Sequence, residues 1–209
     1  MKVIEKNKKC KGRFGLIYSS EPGVGKSTSC IASLPEPILY LYVEDRDPST
    51  SLDAIDREVD VKFICPESQE DLMEFLYKAQ KKIQNGEFNY KSLVFDSLSY
   101  WMNVVLLTAM EDETYDAEIF KRRRQLVDKV RADEAVYGGL ASHMNRICKG
   151  LKVISQSGIA VICIAQGMES PKWNRDLSVA PNFIGQKFNR DLKSHFDLIG
   201  LVEASVNEE

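Results

Sequence analysis

The sequence predicts an α/β fold on a mainly parallel sheet, and three observations carry that expectation. Short apolar runs of strand length recur at residues 14–18, 38–43, 61–65, 93–95, 159–165 and 198–202. Stretches with helical periodicity separate them. The run Ile38 to Val43 is also continuously apolar rather than alternating, as a strand covered on both sheet faces should be.

The first run, Phe14 to Tyr18, leads into Ser19-Ser20-Glu21-Pro22-Gly23-Val24-Gly25-Lys26 and then a small-residue stretch to Ala32. That reads as strand, glycine-rich turn, helix start. Pro35 and Pro37 close the helix, and Ile38 to Val43 forms the second strand. Val61 to Cys65 is a third. Ser68 begins a helix with Glu70 and Asp71 in its first turn, where the helix dipole favours acids. Leu72, Phe75, Leu76, Ala79 and Ile83 form its apolar stripe, and Asn85-Gly86 ends it. Leu93 to Phe95 is a strand finishing at Asp96, with an apolar helix expected between Tyr100 and Met110. A charged stretch, residues 111–136, is broken by Gly138-Gly139 before a helix from about Leu140 to Ile154. Ile159 to Ala165 and Leu198 to Val202 are the last strands, with a polar segment between them.

The 209 residues suit one domain, 1–209, with no internal repeat or low-complexity linker. Hydrophobic residues make up 44% and charged residues 28%, ordinary globular usage. A net charge of -3 gives no global field for nucleic acid but leaves room for a local basic patch. Cys10, Cys30, Cys65, Cys148 and Cys163 are scattered, odd in number and without CxxC spacing. Reduced thiols and a cytoplasmic location are expected. The basic N-terminus has no apolar stretch after it, and no run is long enough to span a bilayer, so neither a signal peptide nor a membrane partner is expected.

The most specific signal is the window Ser20 to Ser27, which fits G-x-x-x-x-G-K-[ST] except that Ser20 replaces the first glycine. Glycines let backbone N–H groups turn inward around phosphates. Lys26 brings a positive charge to the β- and γ-phosphates, Ser27 offers a hydroxyl to Mg²⁺, and the next helix presents its N-terminus. Glu21, Pro22, Gly23, Val24, Gly25, Lys26, Ser27 and Thr28 are therefore the candidate nucleotide contacts, with ATP and Mg²⁺ as cofactors.

Three strand ends supply candidate partners. Asp96 follows Leu93-Val94-Phe95, and an acid there would hold magnesium alongside Ser27. Glu44 follows the second strand, where a carboxylate can orient a water and take its proton; the plain alternative is a charged turn, Glu44-Asp45-Arg46-Asp47. Gln166 ends the strand Val161 to Ala165, where an amide can touch the γ-phosphate without the cost of a buried charge; the alternative is a polar strand terminus.

Taken in order, these pieces resemble the RecA-like ATPase core over roughly residues 14–202. Ser20 to Thr28 resembles its Walker A element, and Val94-Phe95-Asp96-Ser97 its Walker B element with the Asp-Ser pair of recombinases. The resemblance implies a three-layer P-loop NTPase fold, Glu44 as catalytic glutamate, Gln166 as γ-phosphate sensor and Lys26 as the third catalytic group. From the length, a bare core without separate oligomerisation or DNA-binding domains is expected. A bare core of this size is similar to the minimal RecA-like proteins encoded by phages for single-strand annealing or recombination, and that similarity implies a homo-oligomer.

Two segments are candidate surfaces. Lys121-Arg122-Arg123-Arg124 is the densest basic cluster, but Glu111, Asp112, Glu113, Asp116, Glu118, Asp128 and Asp133 surround it, which favours a solvated, salt-bridged helix. After Gln166 come Lys172, Trp173, Arg175, Phe183, Lys187, Phe188 and Arg190. Interleaved cations and aromatics suit single-stranded DNA, and Lys172, Trp173, Arg175, Phe183 and Lys187 are its expected contacts. The alternatives are aromatics that pack on their own domain, or Lys187 or Arg190 reaching a neighbouring subunit's γ-phosphate. His143 and His195 lack metal-ligand spacing and read as structural. The leading function is a RecA-like ATPase acting on single-stranded DNA. A small-molecule kinase with residues 121–124 as its lid, and a non-catalytic ATP switch, remain as alternatives.

Overall fold

The computed structural model describes residues 12–44, 47–110, 134–169 and 179–203. Seven strands form one sheet: β1 (Phe14–Ser19), β2 (Ile38–Tyr42), β3 (Val61–Ile64), β4 (Ser92–Asp96), β5 (Ala160–Glu169), β6 (Val179–Pro181) and β7 (Leu198–Leu201). The order is β3-β2-β4-β5-β1-β7, every neighbouring pair parallel, and β6 adds antiparallel to the end of β5. The chain builds β2 to β5 on one side of β1 and returns to its other side for β7. Strand order therefore reverses at β1, the place where open α/β sheets leave a crevice outside their carboxyl ends.

Period-two alternation divides the side chains between two faces. Ile38, Tyr40 and Tyr42 of β2 and Val94 of β4 face α1 (Lys26–Ser33), which closes its side with Cys30 and Ile31. Leu39, Leu41, Leu93 and Phe95 face the other way. There they meet α2 (Gln69–Gln84), α3 (Leu98–Tyr100) and its continuation, α4 (Glu134–Gln156) and α5 (Gln186–His195). Helices cover both faces, as a three-layer α/β arrangement requires.

The helix ends follow local chemistry. Ser68 caps α2 by accepting the Asp71 N–H at 3.1 Å, and Gly86, at φ 74°, takes the left-handed turn past its last residue. Ser97 caps α3 by accepting the Tyr100 N–H at 3.1 Å. From α3 the backbone runs on as a π-helix, Trp101–Leu106, that buries Trp101, Met102 and Leu106.

Two expectations are corrected and one is refined. Gly138-Gly139 does not break a helix: α4 starts at Glu134 and runs through both. The cost is about 1 kcal/mol per glycine; a Cβ on Gly139 would meet the flexible end of the Met110 side chain, 2.1 Å from Cε, and nothing lies within 4 Å of one on Gly138. β5 does not stop at Ala165 but continues to Glu169, because its last residues gain β6 as a partner, Gly167 opposite Pro181. The segment read from the sequence only as polar contains both β6 and α5.

Candidate functional site

The carboxyl ends of β1, β4 and β5 meet in register. Ser19 lies opposite Gln166, and Asp96 lies between Tyr42 and Ile164. Above them opens a cleft of about 380 Å³, lined by the loop from Ser19 to Thr28 except Val24, and by Glu44, Thr50, Ser51, Asp96, Ser97, Gln166 and Gly167 among others. The structure thus brings Lys26, Ser27, Glu44, Asp96 and Gln166 into one concavity. Val24 belongs to the same loop but does not line the cleft.

The loop owes its path to two glycines. Gly23 has φ 77° and Gly25 φ 81°, both left-handed, and nothing crowds a Cβ at Gly23. Backbone freedom, not space, selects glycine there. No described residue other than glycine has a positive φ, so Ser20 needs none of that freedom, which explains how a serine occupies the first motif position. Gly25 is also the residue before α1, so the free N–H groups of that helix open into the cleft. The Lys26 ammonium reaches back to the Glu21 carbonyl at 3.3 Å.

Asp96 is the only buried carboxylate among the described residues, with 4% of its surface exposed. Two hydroxyls donate to its Oδ2: Ser27 Oγ at 2.6 Å and Tyr40 Oη. Tyr40 rises from the middle of β2 on the face that Asp96 shares. Its burial and the adjacent Asp96 carboxylate push its phenol well above the ordinary range, so it remains a proton donor. The Cys30 thiol, in the first turns of α1, is pushed up to about 12 by burial and then by the same carboxylate.

A hard hydroxyl and a carboxylate 2.6 Å apart fit Mg²⁺. Among the described residues no group of three or more His, Cys, Asp or Glu is gathered to hold a metal by itself. Few protein ligands is the pattern for an ion that also binds substrate phosphates.

Glu44 and Asp47 have different surroundings. The Val43 N–H donates to the Asp96 carbonyl at 2.9 Å, tying the end of β2 to β4 just before Glu44. Asp47 instead accepts the Ser49 N–H at 2.9 Å and caps the 3₁₀ turn Pro48–Ser51, and those hydrogen bonds hold its carboxyl below the usual range. Glu44 lines the cleft and Asp47 does not.

Gln166 is fixed through its backbone. Its N–H donates to Ser99 Oγ at 2.8 Å, and its carbonyl accepts the Asn182 N–H at 2.7 Å. Asn103 then donates to the Asn182 carbonyl at 3.1 Å and accepts from the Ile184 N–H at 3.3 Å. Behind it Gly167 is indispensable, since a Cβ there would stand 2.8 Å from the Ser19 carbonyl carbon and the Ser20 nitrogen.

The expected DNA surface is only partly visible. Lys172, Trp173 and Arg175 lie outside the described residues, as do Lys121 to Arg124. Lys187 falls in the first turn of α5. Phe183 is corrected: it is 4% exposed and packs edge-on against buried Phe188 with ring centroids 5.0 Å apart. It belongs to the core and offers no face to a base. Both histidines sit in side-chain contacts, His143 with Gln69 and His195 with Asn145. Cys30, Cys148 and Cys163 are buried free thiols and Cys65 an exposed one. Among the described residues no helix is long and apolar enough to cross a membrane.

Sequence pattern missed Tyr40, Ser99, Thr50, Ser51 and Gly167. Tyr40 alone left a signal: a phenol in a continuously apolar strand needs an acceptor. Its parity, two residues before Tyr42, points to the face of Asp96. The sequence matches no protein-family model and no curated protein.

Proposed function

We propose that the chain is a magnesium-dependent, RecA-like ATPase of the P-loop class. The observation that carries this reading is the Ser27–Asp96 hydrogen bond at the mouth of a left-handed glycine loop, in a cleft that also holds Lys26, Glu44 and Gln166. In this reading the loop N–H groups and Lys26 hold the β- and γ-phosphates. Ser27 and Asp96 hold Mg²⁺, which offsets phosphate charge when bound. Glu44 orients the attacking water and accepts its proton, and Gln166 contacts the γ-phosphate.

Action on single-stranded DNA, in recombination or annealing, is part of the proposal. Its support is positional: residues 170–178 lie in the sequence between β5 and β6, starting four residues after Gln166, and they include Lys172, Trp173 and Arg175. Phe183 has no part in it. Assembly of several copies is supported by β7, the end strand of the sheet order, which exposes Leu198, Ile199 and Leu201.

The test is ATP binding and turnover by the wild type and Lys26→Ala, with and without single-stranded DNA and with nucleoside acceptors. DNA-stimulated phosphate release, lost in Lys26→Ala, is expected. Phosphate transfer to a nucleoside would establish a kinase instead, and binding without turnover a switch. Wild-type rates in Lys26→Ala would remove the site assignment.

A further inference from the structure

We propose that Tyr40 is a positioning residue for the metal site, holding the Asp96 carboxylate in the orientation that receives the cation. The inference rests on reading the cleft as a magnesium-nucleotide site, and assigns a role to a residue outside the cleft lining.

A hydroxyl has one proton and two lone pairs. Ser27 gives its proton to Asp96, which leaves its lone pairs for a cation. If Ser27 were the sole anchor of the carboxylate, every movement of the phosphate loop would swing Asp96 with it. Tyr40 removes that dependence. It donates to the same oxygen from the middle of a strand that pairs with β3 on one side and β4 on the other. Its ring is fixed by burial and by Phe63, centroid to centroid 5.3 Å. The sheet, not the loop, then sets the direction of Asp96. Packing alone does not require the hydroxyl, since a phenylalanine would fill the same volume between α1 and the sheet. The hydroxyl also lowers the cost of keeping a carboxylate buried at the edge of an apolar cluster. Outer-shell partners of metal ligands commonly control metal affinity by about 10–100-fold.

Tyr40→Phe tests this. Binding of a fluorescent, non-hydrolysable ATP analogue is titrated with Mg²⁺, and again in EDTA, with Mn²⁺ binding followed by electron paramagnetic resonance. The Mg²⁺ and Mn²⁺ midpoints should rise about tenfold or more, while affinity in EDTA stays near wild type. Tyr42→Phe is the matched control, on the same strand and face, and should leave both midpoints unchanged. Unchanged midpoints in Tyr40→Phe, equal losses with and without metal, or equal shifts in the two variants would each overturn the proposal. A wild type whose nucleotide binding ignores Mg²⁺ would overturn the underlying reading as well, and that result needs no variant.

Discussion

The two faces of the sheet differ in size and in chemistry. On the side of α2 to α5, thirty buried residues form one cluster whose members are almost all hydrocarbon, with Trp101, Phe95, Leu151 and Phe188 fully enclosed. On the side of α1, six buried residues suffice, and two of them, Tyr40 and Cys30, carry ionisable groups beside Asp96. The large face buries far more apolar area and so supplies most of the hydrophobic stabilisation. The small face contains the only buried carboxylate described and opens directly into the cleft. Stability and chemistry are therefore segregated by strand parity, and substitutions should separate them.

The largest expected effect is on the chemical side. Glu44→Gln keeps the shape of the side chain and removes its basicity, so ATP binding should persist while turnover falls by about 10²–10⁴-fold. Asp47→Asn should cost little, because Asp47 is committed to the Ser49 N–H. Steady-state phosphate release with a parallel binding titration checks both. If Asp47→Asn is the crippling change, the base has been misassigned.

Next comes the large face. Leu151→Ala empties a fully buried position on α4 and should cost about 2–5 kcal/mol in denaturant unfolding. Nucleotide affinity measured well below the unfolding transition should match wild type. A large affinity loss there would mean that the two faces are coupled and the segregation fails.

Gly167→Ala probes the boundary between them. The added methyl would meet Ser19 and Ser20 backbone at 2.8 Å and Val179 Cγ1 at 2.9 Å, and backbone cannot rotate aside. Overpacking of this kind costs about 1–3 kcal/mol. Because the atoms displaced begin the phosphate loop, nucleotide affinity should fall by about tenfold, equivalent to about 1.4 kcal/mol. A stability loss with unchanged affinity would show that the loop moves independently of β5.

Gly167 also marks where sequence reading stops. The strands, α1, α2 and the groups at strand ends are legible because each depends on neighbours within a few residues: an apolar run, a capping serine, a glycine-lysine-serine turn. The need for glycine at 167 comes from Ser19, far away in sequence, through the β1–β5 register. Likewise, Phe183 beside Lys187 reads as a surface aromatic until its packing on Phe188 is seen. The continuation of β5 past Gln166 depends on β6, a three-residue strand with no periodicity to detect. The Gly138-Gly139 pair misleads differently: it lowers local helix propensity without forbidding a helix, and α4 runs through it.

The smallest effect belongs to His195, a polar group on the large face. It ends α5, its Nε2 lies 2.7 Å from Asn145 Oδ1 on α4, and its ring stacks on Phe188. Burial lowers its pKa most, Asp191 opposes this, and Lys152 and Lys149 lower it further. A histidine whose folded pKa lies below its unfolded value contributes stability that is present above the ordinary value of about 6.5. That contribution is lost as pH falls from there through the folded pKa. Wild-type stability should therefore decline as pH falls from about 6.5 toward the lowered folded pKa. The lowered carboxyls of Glu36 and Asp47 act at lower pH and do not interfere. The ring is only partly buried, so the change should be smaller than that of Gly167→Ala. His195→Gln retains a side chain able to donate to Asn145 and has no proton to gain, so its unfolding midpoint should be flat across this window. Guanidinium titrations at pH 7.5 and pH 5.5 decide it. An equal decline in the variant would place the titrating group elsewhere and leave the large face without any pH-sensitive contact at the α4–α5 seam.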